Sequence, residues 1–144
     1  LHLCDRRQRQ MCIRDRKLFP EEEFQFEVPS PELKLNVDRT QIEQILINLL
    51  KNAREACSRK SDKKIQVKAR KLSAGNTTLT ISDNGEGILP DVLDKIFVPF
   101  FTTKTSGSGI GLSLCKQIMT LHEGSINVKS EVGKGSSFIL TFPK

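Results

Sequence analysis

Tryptophan and tyrosine are absent from this 144-residue chain, histidine occurs twice, and cysteine four times. No uncharged apolar run approaches the ~20 residues that a bilayer-spanning helix needs, and the first residues carry no apolar core of a secretory signal. Membrane contact by this segment is therefore not expected. Cys4, Cys12, Cys57 and Cys115 lie far apart and form no C-x-x-C pair. With so few histidines beside them, neither a disulfide framework nor a zinc site is indicated. They read as reduced thiols, which points to a cytoplasmic location, although a parent protein can still be membrane-anchored.

An excess of one charge sign is also lacking over most of the chain. The formal net charge is +6, but residues 1 to 17 hold six basic against two acidic side chains, so the remainder carries only +2. A basic nucleic-acid footprint is not spread over the fold, and no nucleic-acid partner is expected. The stretch LHLCDRRQRQMCIRDRK matches nothing after it in composition. Residues 1–17 are read as a non-core extension, disordered or artefactual, and residues 18–144 as one domain of ordinary size, large enough to bury a two-layer core.

From Leu18 the pattern becomes orderly. EFQFEV (23–28) and LKLNV (33–37) alternate around Pro29, Ser30 and Pro31, which predicts a β-hairpin or a pair of edge strands. Asp38 stands at an N-cap position, and Ile42, Ile45, Leu46, Leu49, Leu50, Ala53 and Ala56 recur at helical spacing up to Cys57. IQVKARK (65–71) and TTLTIS (77–82) flank a Gly75-Asn76 turn, a hairpin signal. A short helix is expected within 89–97, a long loop after it, and a second long helix from Ile110 to about His122. SINVKS (125–130) and SSFILTF (136–142) close the chain as strands. Helices interleaved with strand hairpins indicate a two-layer α+β sandwich.

Gly107, Gly109 and Gly111 precede and enter the second long helix at alternate positions. That spacing is neither the dinucleotide fingerprint nor the P-loop, so its context must decide its use. The context is a fixed order: QILINLLKNAREA, DNGEGI, FVPFFTTK, GSGIGLSL and GKGSSFILTFP. Together these resemble the N box, first glycine box, F box, second glycine box and last strand of the catalytic, ATP-binding domain of bacterial sensor histidine kinases. The resemblance spans residues 18–144 and implies the Bergerat fold: a mixed sheet of about five strands with helices on one face, ATP lying on the helical side under a lid.

Asn48 and Asn52, four apart, leave the first helix on one face that the apolar positions do not occupy. The resemblance directs that face to the triphosphate, as the catalytic pair, and assigns Mg2+ to Asn52. A hard cation accepts a neutral amide oxygen beside phosphate oxygens and water. Asp83 ends a strand, so its carboxylate can accept a hydrogen bond from the exocyclic amine of adenine, while Gly85 and Gly87 let backbone approach the ring. Ser137, or its neighbour Ser136, is implied as a second adenine contact. Gly107, Gly109 and Gly111 with their neighbours Ser108, Ile110 and Leu112 are implied as the lid segment that wraps the β- and γ-phosphates at a helix N-terminus. Ile88 is carried over with the first glycine box. Lys104 is the nearest cation, read either as a phosphate ligand or as a solvated loop lysine. Phe97, Phe100 and Phe101 read as an apolar plug that also docks on the kinase's dimerisation domain.

In hydrolytic members of this superfamily the position four before the Mg2+-binding asparagine is a water-activating glutamate; here it is Asn48. Transfer to a histidine is the expectation, because a neutral imidazole already offers a nucleophilic nitrogen. The acceptor is expected on a dimerisation domain that this chain does not include, with a response regulator beyond it. His122, after the second long helix, is read as a residue of a surface turn. The chain is thus expected to be an isolated catalytic domain or a fragment of a larger kinase. The alternatives are a fragment of a GHL-type ATPase and a degenerate nucleotide-binding module.

Overall fold

Asp38 starts the first long helix for the reason its position suggests: its backbone is extended and its side chain accepts from the N–H of Gln41 at 3.2 Å. The structure, a computed structural model, describes residues 10–12, 24–27, 34–101 and 111–144. Helix α1 (Arg39–Ala56) ends at Cys57, and its buried residues are Ile42, Ile45, Leu46, Leu49, Leu50 and Ala53. That is the helical stripe expected from the apolar spacing. A single turn, α2 (Pro90–Leu93), follows later, and α3 (Gly111–Leu121) buries Ser113, Cys115, Ile118 and Met119. Among the described helices none is long and apolar enough to cross a membrane.

The strands are β1 (Gln10–Cys12), β2 (Phe24–Glu27), β3 (Lys34–Asn36), β4 (Ile65–Lys71), β5 (Thr77–Asp83), β6 (Ser125–Glu131) and β7 (Gly135–Phe142). Five of them form one sheet in the order β2-β4-β5-β7-β6. The four from β4 onward pair antiparallel, and β2 adds to the edge of β4 in parallel, so the sheet is mixed. Alternation decides which face is covered. Ile65, Val67 and Ala69 of β4, Leu79 and Ile81 of β5, and Phe138, Leu140 and Phe142 of β7 are buried in one cluster with the apolar face of α1 and with Cys115, Ile118 and Met119 of α3. Each fully buried Val, Leu, Ile, Phe or Met side chain among them contributes about 1.5–3 kcal/mol by removal from water. The result is a two-layer α+β sandwich with its helices on one face of the sheet.

Of the two arrangements open for 23–28 and 33–37, a hairpin or a pair of edge strands, the second is found: β2 adds to the edge of β4 and β3 pairs with β1. Alternation marks a segment as a strand but does not name its partner; register and partner are set by which edge is open. Within residues 1–17, Gln10–Cys12 pair antiparallel with Lys34–Asn36. The rest of residues 1–17 lies outside the described residues.

His122 is not a free turn residue. Its ring is half-buried, Nε2 accepts from the N–H of Asp38 at 3.0 Å, and Nδ1 lies 2.8 Å from the carbonyl of Ile118. An acceptor at Nε2 leaves the proton on Nδ1, which donates to that carbonyl. The ring therefore fastens the C-terminal end of α3 to the N-cap of α1. His122→Ala is expected to destabilise the fold by about 1–3 kcal/mol, the cost of stranding a half-buried donor. Leu121→Ala, beside it but 72% exposed, should change little. Urea denaturation of both variants checks this, and equal losses would remove the link from the account.

Candidate functional site

Three elements carry the residues singled out in the sequence. The first is the middle of α1. Asn48 donates from Nδ2 to the carbonyl of Gly111, the first residue of α3, at 3.3 Å, and its Oδ1 accepts from Gln44 Nε2 at 3.2 Å. Nδ2 also lies 3.8 Å from Cys115 Sγ. Burial pushes the Cys115 thiol up to about 11, so this cysteine is an uncharged packing element rather than a nucleophile. Asn52 lies one turn further along α1 and is half-buried. Asn48 thus ties α1 to the point where α3 begins.

The second element is the turn after β5. Asp83 continues the helix-facing row of Thr77, Leu79 and Ile81, and the N–H of Gly85 donates to its Oδ1 at 2.9 Å. Gly85 is buried, and a Cβ there would sit 2.6 Å from the carbonyl oxygen of Ala56 at the end of α1. Gly87 adopts φ +77, a left-handed backbone that favours glycine. The Asp83 carboxyl is raised above its ordinary value by burial, against which the main-chain hydrogen bonds at Gly85 and Ser136 and the charge of Lys60 pull it down. A half-desolvated carboxylate is a strong acceptor for a donor such as an amine.

The third element is β7, where the two candidate serines take opposite faces of the sheet. The register sets Ser136 opposite Asp83. Ser136 is buried on the helix side, and its Oγ lies 2.8 Å from Ser130 Oγ. Ser137 belongs to the other face of the sheet, where its Oγ meets Ser82 Oγ at 2.8 Å. The two-residue repeat of a strand forbids both serines from sharing one face. Ser136, not Ser137, is the hydroxyl next to Asp83.

Ile88 and Leu112 pack against the core cluster, and the N–H of Ile88 donates to Ser130 Oγ at 2.8 Å. Ser130 is a residue that sequence reasoning misses, since a serine in an alternating strand carries no local mark of its partner. Lys104, Gly107, Ser108, Gly109 and Ile110 lie outside the described residues. Of the three phenylalanines after α2, Phe97 packs on the core with Lys116 Nζ 5.8 Å from its ring centroid. Phe100 is 76% exposed at φ +68, so the apolar plug reaches only as far as Phe97 and the half-buried Phe101. Phe97, Pro99, Lys116 and Leu121 line a groove of about 470 Å³ on the outer side of α3.

Among the described residues no group of three or more His, Cys, Asp or Glu is placed to hold a metal ion. The amide oxygen of Asn52 is of the donor type that a hard, water-retaining cation accepts.

The family described as histidine kinase-, DNA gyrase B-, and HSP90-like ATPase matches residues 37–144, which contain all three elements. The chain is 39% identical over 110 residues to sensor histidine kinase ZraS of Salmonella typhimurium, covering 76% of this chain and 23% of that protein. It thus spans about a quarter of the length of that relative. Among solved structures, the catalytic domain of histidine kinase ThkA superposes with a TM-score of 0.74 at 37% identity, over 85% of this chain and 78% of that one. ThkA in complex with the response regulator protein TrrA matches with a TM-score of 0.67 at 32% identity, over 85% of this chain and 34% of that chain.

The raised Asp83 value carries a stability consequence. A carboxyl whose folded pKa lies above its unfolded one favours folding most when protonated; that contribution is complete below the unfolded value near 3.8 and is lost as pH rises through the folded value. At neutral pH the ionised Asp83 thus costs stability. Asp83→Asn keeps an acceptor for Gly85 and removes the charge, so the folded protein should gain thermal stability at pH 7 and lose that gain at pH 3. The same variant should bind ATP and ADP about 10- to 100-fold more weakly, the worth of a hydrogen bond to a charged group. Thermal denaturation at the two pH values, alongside titration calorimetry, reads both effects.

Proposed function

The chain belongs to the family of histidine kinase-, DNA gyrase B-, and HSP90-like ATPases, and we propose that it is the ATP-binding catalytic domain of a sensor histidine kinase. Its task is then to hold Mg-ATP and present the γ-phosphate to a histidine on the dimerisation domain of its parent. The observation that carries this reading is the meeting of Asn48 with the first residue of α3 while Asp83, on the same helix-covered face, offers a carboxylate at the end of β5. One end of that space suits phosphate and the other suits an amine-bearing base.

The division of labour follows from the side chains. Asp83 accepts from the exocyclic amine of adenine, with Ser136 beside it. Asn52 supplies an amide oxygen to Mg2+, which would neutralise phosphate charge when bound. Asn48 keeps α1 against the start of α3, where helix N–H groups and the preceding glycine segment meet phosphate oxygens. No carboxylate stands at position 48, so nothing there takes a proton from water. A neutral imidazole needs no such base to attack, and positioning with electrostatic stabilisation suffices for phosphoryl transfer. This favours histidine transfer over the ATPase alternative, and the kinase names of the relatives favour it over a degenerate module. The match to ThkA bound to TrrA supports a response regulator as the downstream partner. A cytoplasmic location accords with both partners.

Mixing this chain with the dimerisation domain of its own parent and γ-labelled ATP tests the reading. Acid-labile label on a histidine of that domain, with slow ATP turnover by the chain alone, is the expected result. Brisk turnover without the partner would favour the ATPase class; binding without transfer to the correct partner would favour a degenerate module. Asn52→Ala should abolish the Mg2+-dependent part of ATP affinity while leaving Mg2+-free ADP binding near that of the wild type.

A further inference from the structure

Asn84, between Asp83 and Gly85, is not among the residues expected to meet a nucleotide, and its side chain is turned to a different use. Nδ2 donates to the carbonyl of Asp62 at 2.8 Å, and Oδ1 accepts from the N–H of Lys64 at 2.8 Å. The thiol of Cys57, buried at the end of α1, lies 3.5 Å from the same Oδ1 and donates to it. The N–H of Asn84 donates to the carbonyl of Lys64 at 3.1 Å. These bonds extend the β4–β5 pairing one residue past Ile65 and Asp83 and fasten the turn to the loop that follows α1. On its other flank the turn is held by Ser130 at Ile88 and by the N–H of Gly133, which donates to the carbonyl of Glu86 at 2.9 Å.

The consequence falls on Asp83. The terminal torsion of an aspartate is broad and does not fix its oxygens. Here Oδ1 accepts from the N–H of Gly85 and the carboxyl also takes a main-chain hydrogen bond at Ser136 on β7, so with Ser136 fixed by the sheet the remaining aim of the carboxylate follows the position of the Gly85 N–H. Gly85 follows Asn84 directly, and the amide staple sets where it lies. A 6-amino purine donates to a carboxylate oxygen so aimed, whereas a 6-oxo purine turns a lone pair toward it. Only asparagine meets the staple's demand at this reach, a donor for Asp62 and an acceptor for Lys64 on one planar group.

We infer that Asn84 is a positioning residue for base selection: its bonds to Asp62 and Lys64 aim the Asp83 carboxylate and so set the preference for a 6-amino over a 6-oxo purine nucleotide. The inference rests on the reading of Asp83 as the adenine acceptor, and the experiment separates the two. Affinities for ATP and for inosine triphosphate are measured by calorimetry on the wild type, Asp83→Asn, Asn84→Ala and Asn84→Asp. The wild type is expected to prefer ATP by about 10-fold or more, from the worth of a charged hydrogen bond. Asp83→Asn, whose amide can donate to an oxo group, should lose or reverse that preference.

Asn84→Ala, shown to be folded by circular dichroism, should bring the ratio close to one while its affinity for inosine triphosphate stays within about twofold of the wild type. A purely structural role would weaken both nucleotides together and leave the ratio intact, and that outcome overturns the proposal. If Asn84→Ala does not fold, Asn84→Asp keeps the acceptor for Lys64 and loses the donor to Asp62. Its added charge acts on both triphosphates alike, so it cancels in the ratio. A lowered ratio in that variant supports the proposal and a wild-type ratio overturns it. Failure to bind ATP by the wild type, or a wild-type ratio in Asp83→Asn, removes the adenine reading and the proposal together. Loss in Asp83→Asn with Asn84→Ala unaffected removes the proposal alone.

Discussion

The last carbonyl of α1 holds the two halves of the site together. Ala56 O accepts from the N–H of Glu86 at 3.3 Å and lies so near Gly85 that no side chain fits between them. The end of the long helix and the end of the central strand are thereby pressed into one piece. Because Asn48 and Asn52 stand on that helix and Asp83 on that strand, their mutual placement follows from this contact. A helix of 18 residues whose stripe is fully buried cannot slide without opening the core, so the placement is stiff.

A second constraint acts at the far end of the same helix. The His122 ring holds the N-cap of α1 against the end of α3, while Asn48 holds the middle of α1 against the beginning of α3. The two helices are thus joined by polar contacts at both ends of α3, over a shared apolar seam. Such contacts add little net energy but are costly to leave unmade, which makes them better at specifying a geometry than at stabilising a fold. A ligand wedged near Gly111 therefore meets a defined surface.

Burial of Asp83 shows the tension between fold and ligand. The carboxyl is kept where its charge is disfavoured, held by main-chain donors at Gly85 and Ser136, and a half-desolvated acceptor interacts more strongly with any donor than a hydrated one. Cys115 takes the opposite course under the same physics: burial keeps its thiol neutral and confines it to packing.

Local pattern alone was enough for the helix from Asp38 to Cys57, the β4–β5 hairpin and the last two strands, since capping chemistry, a 3.6-residue repeat, a two-residue repeat and a Gly-Asn turn act over a few neighbours. The motif order was enough to bring Asn48, Asn52, Asp83 and the two glycines after it into one reading, because each residue type has narrow chemical uses at that spacing. Partner choice was not legible. Nothing near Phe24 says that its strand joins β4 in parallel, nothing near Met11 that it faces Leu35, and only the register of β7 against β5 chooses Ser136 over Ser137. The His122 ring and the Asn84 amide were illegible for the same reason. Their partners, Asp38 and the 62–64 loop, are 84 and about 20 residues away, and a hydrogen bond over that separation exists only once the core has brought its two ends together.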